Sequence, residues 1–430
     1  MNFRIISFMH ILNIRECLTA IEKNTTSWSE KAVKANVQQE IAVPLSKGTC
    51  RSAPDSNTAA EFDMFNVYRD LPESVKTEKS ESRRRPSAEK LKVFVLPFTH
   101  VDPGIDMDRK LPGCSVLLLP TGWLKTFDSY SEDTDSILDN MHRFMVSHRN
   151  MTFMWAELIF FEKWWAKQNS SVRNDVRRLV ESGRLEIASG SWVMTDEANV
   201  YYPVTVDNII EGHQFLEQEF GVSPTVVWSN DPFGYSNSIQ YLFTQAGIKR
   251  AVINRIHHDI KRYLQGLRAI PFRWRQYFDP QGNSDMLTHV LPYTHYDILN
   301  SCGPSPSVCC EFDFKRMTHW SCPGVKPVPI TSANVAAKAR ALIAQLKEMA
   351  QMYESNVLLM VHGDDFRFNM IEEWHQHHDN FLPLFEEINR NGLAEIRFGT
   401  FSDYFTALEK WYADNGKQPA TLSGDFFPYK

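Results

Sequence analysis

The sequence predicts an α/β fold in which parallel strands are covered by helices, either as a barrel or as a doubly wound sheet. From Leu91 onward, short apolar runs typical of buried strands alternate with longer amphipathic stretches typical of helices. The chain has 430 residues, of which 43% are hydrophobic, so it can fill one large barrel or two or three average domains.

The predicted elements follow one another along most of the chain. Leu91–Pro97 is predicted as a buried strand, and residues 135–148 as an amphipathic helix. Residues 155–181 are predicted to be mostly helical. Further helices are predicted at 206–220, 238–246, 334–353 and 380–391, and further strands at 185–188, 225–228, 251–254, 357–361 and 395–398. Residues 277–329 are predicted to be irregular. Residues 1–86 have little periodicity and are predicted to form a low-complexity stem or linker, which leaves 87–430 for the domain.

Charge and hydropathy bear on partners and location. The 46 Lys and Arg residues against 52 Asp and Glu give a formal net charge of −6, which argues against a nucleic-acid partner. No stretch reaches the roughly 20 apolar residues of a membrane-spanning helix. Residues 5–14 are interrupted by polar side chains and predict no clear anchor or signal peptide. Sequons at Asn24, Asn150 and Asn169 predict glycan attachment.

Four of the seven cysteines cluster in one segment, at Cys302, Cys309, Cys310 and Cys322. The cluster fits either a zinc site or disulfides. It lacks the short Cys-X2-Cys spacing of zinc sites, and the adjacent Cys309 and Cys310 would be awkward ligands. We favour two small-loop disulfides, Cys302 with Cys309 and Cys310 with Cys322, which would indicate an oxidising compartment.

Acidic clusters follow three predicted strands, at the positions where parallel α/β proteins carry their reactive residues. They lie at residues 99–104, 229–234 and 362–367. In an extended segment, His100 and Asp102 point to the same side and form half of a metal site, for which Asp231 is the third ligand. The alternative is that the Asp-Pro pairs only form turns.

The adjacent carboxylates of Asp364 and Asp365 indicate acid/base chemistry. Two carboxylates near one site repel each other and raise the pKa of one, which then stays protonated enough to act as an acid near neutral pH. The alternative is an ion pair between Asp364 and Arg367 in a loop.

At these three clusters the sequence resembles the class II α-mannosidases of glycoside hydrolase family 38, and most closely their Golgi α-mannosidase II type. The family patterns H-x-D-P-G-W, W-x-x-D-P-F-G-H-S and G-D-D-F-R-Y correspond to residues 100–104, 228–236 and 363–368. The segment from Tyr296 to Arg316 also looks like the Golgi subgroup. The resemblance extends from about Glu89 to Tyr429.

The resemblance implies a retaining α-mannosidase that trims mannose from N-linked glycans in the Golgi. It implies a seven-stranded parallel β/α barrel-like domain with one Zn²⁺ held by His100, Asp102 and Asp231. It makes Asp231 also the catalytic nucleophile and Asp365 the general acid/base. Homodimeric relatives make self-association a further expectation. The mannose site is assigned to Trp123, Phe233, Arg255, Tyr296, Asp297 and Asp364.

The sequence departs from the family pattern in three respects. Residues 105–122 form an 18-residue insert before Trp123, which the family joins directly to the H-x-D-P-G motif. Tyr235 replaces the usual histidine. The family's later H-H-D-A motif, its fourth zinc ligand, does not occur, and we expect the chain to be truncated before the three-helix and β-sandwich portions. The stretch His377-His378-Asp379 is interpreted as surface polarity in a helix.

Two other functions remain open on the sequence alone. The first is a catalytically inactive fragment with residual glycan or zinc binding, since three zinc ligands and half a cleft remain. The second is a metal-dependent carbohydrate deacetylase, which also places His and Asp at barrel strand ends. Zinc binding and the product released, mannose or acetate, distinguish these functions.

Overall fold

Strands and helices alternate through the computed structural model, which describes residues 60–70, 89–103, 127–196, 201–320, 322 and 325–428. The strands are β1 Phe62–Asp63, β2 Leu91–Pro97, β3 Phe153–Trp155, β4 Leu185–Ile187, β5 Val226–Ser229, β6 Arg250–Ile253, β7 Phe272–Arg275, β8 Met286–Val290, β9 Val357–His362, β10 Ala394–Phe398 and β11 Ala420–Ser423. The α-helices are α1 Met64–Asp70, α2 Phe127–Ser147, α3 Leu158–Lys167, α4 Ser170–Glu181, α5 Tyr202–Phe220, α6 Asn237–Gln245, α7 His258–Gly266, α8 Pro306–Cys310, α9 Val335–Ala350, α10 Ile371–Arg390 and α11 Phe401–Asp414. Two 3₁₀ turns, Ile298–Asn300 and Phe314–Met317, flank α8.

The described strands pair into three sheets. β2 lies between β9 and β10, and β3 pairs with β4, all in parallel. The largest sheet has the order β1-β11-β7-β8-β6-β5. Among the pairs described, only β7 with β8 is antiparallel, because residues 276–285 join them without a crossover helix. The expected parallel pairing is therefore confirmed for every other described pair.

Single backbone contacts link the sheets. Phe98, just past β2, forms an isolated parallel bridge with Met154 in β3. The N–H of Ser189, past β4, donates to the carbonyl of Val226 in β5 at 2.8 Å. The three sheets are therefore neighbours at these strands. Their closure into one seven-stranded barrel stays a prediction.

The core lies between the sheets and the helices. All six residues of β9 are buried, as are all residues of β2 except Lys92, which is typical of strands covered on both faces. The helix α2 turns one apolar stripe to this core, at Ile137, Leu138, Met141, Phe144 and Met145.

The prediction that residues 155–181 are mostly helical is confirmed, but the segment begins at a strand end and contains a break. Trp155 ends β3, and two helices follow. The side chain of Asn169 accepts hydrogen bonds from the N–H groups of Ser171 and Val172, so it caps and begins α4. This capping separates α3 from α4.

The predicted irregular segment 277–329 contains the strand β8 and the short helix α8. Thr288 and His289 are polar but buried in β8, so the strand lacks a continuous apolar run. The elements α1, α7, α11, β1, β7 and β11 were also not predicted. Thr400 and Asp403 form a capping box at the start of α11, which is a sequence signal that could have revealed this helix.

Several sequence predictions fall on residues outside the described ranges. These are the stem at 1–59 and 71–86, the insert at 105–122 and Trp123. Residues 62–70, within the predicted stem, form β1 and α1, and β1 pairs with β11. Among the described helices, none has both the length and the hydropathy needed to cross a bilayer.

The predicted cysteine pairing is confirmed. Disulfides join Cys302 to Cys309 and Cys310 to Cys322. They close loops on both sides of α8, so the zinc-site alternative for these four residues is excluded by their covalent pairing.

Gly363 provides a test of the packing between β9 and β2. A Cβ atom added there would lie 2.1 Å from the carbonyl oxygen of Phe98 and 2.7 Å from its ring. We expect Gly363→Ala to lower the free energy of unfolding by about 1–3 kcal/mol, because the backbone of β2 must move to make room. Chemical denaturation measures the effect.

Gly266→Ala is the control for that substitution. Gly266 ends α7, and no atom lies within 4 Å of its added Cβ. This change is expected to be neutral or to stabilise by up to about 1 kcal/mol, since alanine favours the helix. Equal stability of the two variants would contradict the packing argument.

Candidate active site

The pairing of β2 with β9 continues past both strand ends and reaches the predicted site. In β2 and β9, Pro97 pairs with His362, and beyond them an isolated bridge pairs His100 with Asp365 in the same register. The N–H of His100 donates to the carbonyl of Asp364 at 3.1 Å, and the N–H of Phe366 donates to that of His100 at 2.9 Å. The first and third acidic clusters are thus side by side.

His100, Asp102 and Asp231 converge, as the sequence predicted. Nε2 of His100 lies 3.1 Å from Oδ1 of Asp102 and 3.8 Å from Oδ2 of Asp231. One ligand atom from each of the three lies within 4.8 Å of the others. His100 is buried, whereas the side chains of Asp102 and Asp231 are 27% and 20% exposed, so the group is open to solvent on its carboxylate side.

The donor set fits a zinc ion. Both ring nitrogens of His100 are buried; Nε2 faces the carboxylates of Asp102 and Asp231, and Nδ1 makes no hydrogen bond within the described part of the chain. One imidazole nitrogen and carboxylate oxygens are a combination that Zn²⁺ accepts. Burial alone would lower the pKa of His100, but Asp102, Glu157 and Asp365 together raise it to about 10. The surroundings therefore favour a positive charge at this point.

Arg255 holds the carboxylate of Asp231 from the other side. Its Nε donates to Oδ1 of Asp231 at 2.8 Å, and its Nη2 contacts the same oxygen. The guanidinium carbon lies 4.5 Å from the ring centroid of Phe233, which is 47% exposed. This places an aromatic face, a cation and a carboxylate together at the surface.

Tyr235 joins the loops after β5 and β6. Its hydroxyl donates to the carbonyl of Ser229 at 2.9 Å. The same oxygen accepts the N–H groups of Asn254 and Arg255, each at 3.0 Å. Tyr235 therefore fixes the backbone from which Arg255 reaches Asp231.

Asp365 is exposed and has one oxygen engaged. The hydroxyl of Tyr296 donates to its Oδ1 at 2.7 Å. The ring of Tyr296 is buried, and its centroid lies 5.4 Å from that of the His100 ring. Asp365 therefore lies beside the group formed by His100, Asp102 and Asp231. The predicted site residues Tyr296 and Asp365 are thus brought together.

Asp364, next to Asp365, has a raised pKa. Burial first, and then proximity to Asp365 and Asp297, raise its pKa to about 6. Its Oδ1 accepts the N–H of Asp365 at 2.9 Å. Asp297 in turn caps a 3₁₀ turn through Oδ1, which accepts the N–H of Asn300 at 2.9 Å.

Arg367 does not form the alternative ion pair with Asp364. It is buried and pairs instead with Asp313, at 2.6 Å from Nη2 to Oδ1, and with Glu373. Lys315 joins the group, with its Nζ 2.7 Å from Oε2 of Glu373. We call Asp313, Lys315, Arg367, Glu373 and His377 the buried charge cluster. It anchors the loop that carries Asp364 and Asp365.

The interpretation of His377-His378-Asp379 as surface polarity is wrong for both histidines. His377 is fully buried on α10, where Nδ1 lies 2.9 Å from Nε2 of His362 and Nε2 lies 3.2 Å from Nη2 of Arg367. His378 is also buried, and only Asp379 is exposed. The cause is that both histidines lie on the face of α10 that carries Trp374, Phe381 and Phe385, and this face is buried.

Glu157 belongs to the site but was not predicted. It lies two residues past β3, its carboxylate is buried, and Oε1 is 3.8 Å from Nδ1 of His100. Burial raises its pKa to about 7, although His100 acts to lower it. The predicted helix at 155–181 hid the strand end. Had β3 been recognised, the rule that selected Asp231 two residues past β5 would have selected Glu157.

A comparison with protein families decides the affiliation of the chain. Residues 119–430 match the profile described as Glycosyl hydrolases family 38 N-terminal domain. The chain belongs to glycosyl hydrolase family 38. His100 and Asp102 precede the matched range, and Asp231 and Asp365 lie within it.

Individual proteins similar to this chain cover more of its length. The chain is 40% identical over 354 residues to Alpha-mannosidase 2x of Mus musculus, covering 79% of this chain and 29% of that protein. It is 39% identical over 414 residues to Alpha-mannosidase 2 of Rattus norvegicus, covering 91% and 34%. The chain thus spans about a third of the length of these relatives.

A solved structure supports the fold. An α-mannosidase from Enterococcus faecalis superposes with a TM-score of 0.53 at 14% identity, covering 78% of this chain and 31% of that one. At this identity the likeness concerns the α/β fold alone.

The buried charge cluster predicts a large loss of stability when Arg367 is removed. We expect Arg367→Met to lower the free energy of unfolding by about 3–5 kcal/mol, because Asp313 and Glu373 then lose their main buried partner. Arg178→Met is the control, since Arg178 is 68% exposed and pairs with Asp175 at the surface. This control is expected to cost about 0.2–1 kcal/mol. Similar losses in both variants, measured by chemical denaturation, would contradict the anchoring role.

Proposed function

We propose that this chain carries the active site of a retaining, zinc-dependent α-mannosidase that removes α-linked mannose from N-linked glycans. The observation that carries the proposal is the convergence of His100, Asp102 and Asp231 at the ends of β2 and β5, with Asp365 in register beside His100. The affiliation with family 38 supports the reaction class. A seven-stranded barrel is the architecture that we propose around this site.

The metal-binding part of the proposal rests on chemistry and position. His100, Asp102 and Asp231 would hold the zinc ion, and the open carboxylate side would face the sugar. A bound zinc ion supplies Lewis-acid polarisation and a template that orients sugar hydroxyls.

The nucleophile and the general acid/base are both carboxyl groups of this chain. A retaining mechanism needs one carboxylate to attack the anomeric carbon and a second carboxyl, about 5–5.5 Å away, to protonate the leaving oxygen. Asp231 is the nucleophile, held in one rotamer by Arg255. Asp365 is the acid and afterwards the base that deprotonates water. Tyr296 occupies its Oδ1, which leaves Oδ2 for the glycosidic oxygen.

The mannose ring binds against the surface around these groups. Phe233 offers an exposed aromatic face for the apolar side of a sugar, and Arg255 offers donors beside it. Oδ1 of Asp364 and Oδ1 of Asp297 each accept a backbone N–H, and the Oδ2 atoms are proposed to accept sugar hydroxyls. Trp123, outside the described residues, completes the proposed set.

The proposed location is the Golgi lumen. The two disulfides fit an oxidising compartment. Asn150 and Asn169 are exposed, as glycan attachment requires, while Asn24 lies outside the described residues. A homodimer is part of the same proposal.

Hydrolysis of an aryl α-mannoside by the purified chain tests the function. We expect chelator-sensitive release of the chromophore. Asp231→Asn is expected to lower kcat/KM on the order of 10³-fold or more, because no nucleophile remains. Asp207→Asn, at an exposed position on α5, is the control and should leave kcat/KM unchanged. Acetate release from an acetylated sugar would instead favour a deacetylase, and a folded, zinc-loaded chain without either product would favour an inactive fragment.

The role of Asp365 predicts a dependence on the leaving group. Asp365→Asn is expected to lower kcat/KM about 10²–10⁴-fold for a methylumbelliferyl or natural mannoside, since the leaving oxygen then lacks its proton donor. For a dinitrophenyl mannoside, which leaves without protonation, the first chemical step should be nearly unaffected. Steady-state and burst kinetics on both substrates measure this. Equal losses on the two substrates would argue that Asp365 is not the acid.

A further inference from the structure

Glu157 combines burial with the absence of a partner, which is rare for a carboxylate. Its side chain is 1% exposed, and within the described chain neither carboxylate oxygen makes a hydrogen bond. A buried charged group without hydrogen bonds destabilises a fold, so its presence calls for a second purpose. Although Glu157 occupies the N-cap position of α3, its side chain does not cap the helix.

The carboxylate of Glu157 faces a nitrogen atom of the His100 ring. Nδ1 of His100, also without a hydrogen bond in the described chain, lies 3.8 Å from Oε1 of Glu157. The other ring nitrogen, Nε2, faces Asp102 and Asp231. The ring thus lies between the metal-ligand carboxylates on one edge and Glu157 on the other.

The geometry points to Glu157 as a positioning residue for His100: its carboxylate accepts a hydrogen bond from the Nδ1–H group of His100 and keeps Nε2 turned toward Asp102 and Asp231. This inference rests on the zinc site in the proposed function. A ligating imidazole is neutral, so when Nε2 binds the metal, the single ring proton is on Nδ1 and needs an acceptor. Shortening the present 3.8 Å separation to the usual N–H···O distance of about 2.7–3.2 Å forms that bond.

Two further contacts hold the arrangement. The indole Nε1 of Trp155 donates to the backbone carbonyl of Glu157 at 2.9 Å, which fixes the start of α3. The ring of Tyr296 packs at 5.4 Å from the imidazole of His100. Glu157 and His100 therefore face each other from two fixed strand ends.

Zinc affinity and thermal stability of Glu157→Gln test the inference together. Zinc chloride is titrated into the metal-free chain against a chromophoric chelator, and the melting temperature is measured without metal. We expect the zinc Kd to rise about 10–100-fold, as for other outer partners of ligating histidines. The melting temperature should stay equal or rise, since an unpartnered buried carboxylate is removed.

Glu186→Gln is the matched control. Glu186 is also a glutamate near a strand end, but its carboxylate accepts the N–H groups of Phe401 and Ser402 at the start of α11. This variant should lose melting temperature and keep its zinc Kd within about twofold, which is the opposite pattern.

Three outcomes overturn the inference, and they are distinguishable. An unchanged zinc Kd in Glu157→Gln refutes the positioning role while leaving the zinc site intact. A parallel fall of melting temperature and affinity shows that Glu157 is merely structural. Absence of zinc binding by the unsubstituted chain, equal to that of His100→Ala, refutes the zinc site of the proposed function and this inference with it.

Discussion

The pairing between β2 and β9 is the interaction on which the site depends. Parallel register is fixed from Lys92 opposite Val357 through to His100 opposite Asp365. Because side chains alternate along a strand, a slip by one residue would turn His100 away from Asp231. Gly363 permits this pairing, since its missing side chain lets the backbone of Phe98 approach. The chemistry at the surface thus follows from a ladder of backbone hydrogen bonds in the core.

Buried ion pairs also stabilise the loop that carries Asp364 and Asp365. The buried charge cluster gathers side chains from the segment after α8, from the loop after β9 and from α10. Each charge in it is matched by an opposite one, which is the condition under which buried charges are tolerated. The loop is therefore fixed by the buried charge cluster and by its backbone pairing with the segment after β2. Asp365 remains exposed on this fixed loop.

The sequence allowed the strands with continuous apolar runs to be found, such as Leu91–Pro97, and with them the residues just past their ends. It failed where polar residues are buried, as at Thr288 and His289 in β8, because their burial depends on partners distant in sequence. His377 was misjudged for the same reason: its neighbours Arg367 and His362 come from another element. Glu157 was missed because a three-residue strand carries too little periodicity to interrupt the helical pattern that follows it.

The two disulfides make the site depend on the redox state of the compartment in which the chain folds. Their loops bracket α8 and hold the stretch from Cys302 to Cys322, which supplies Asp313 as a partner of Arg367. The thiol–disulfide balance of the compartment is therefore linked, through one ion pair, to the loop that bears Asp365. A chain produced in a reducing cytosol would fold without these two disulfides. An oxidising expression compartment is therefore the appropriate source of the protein.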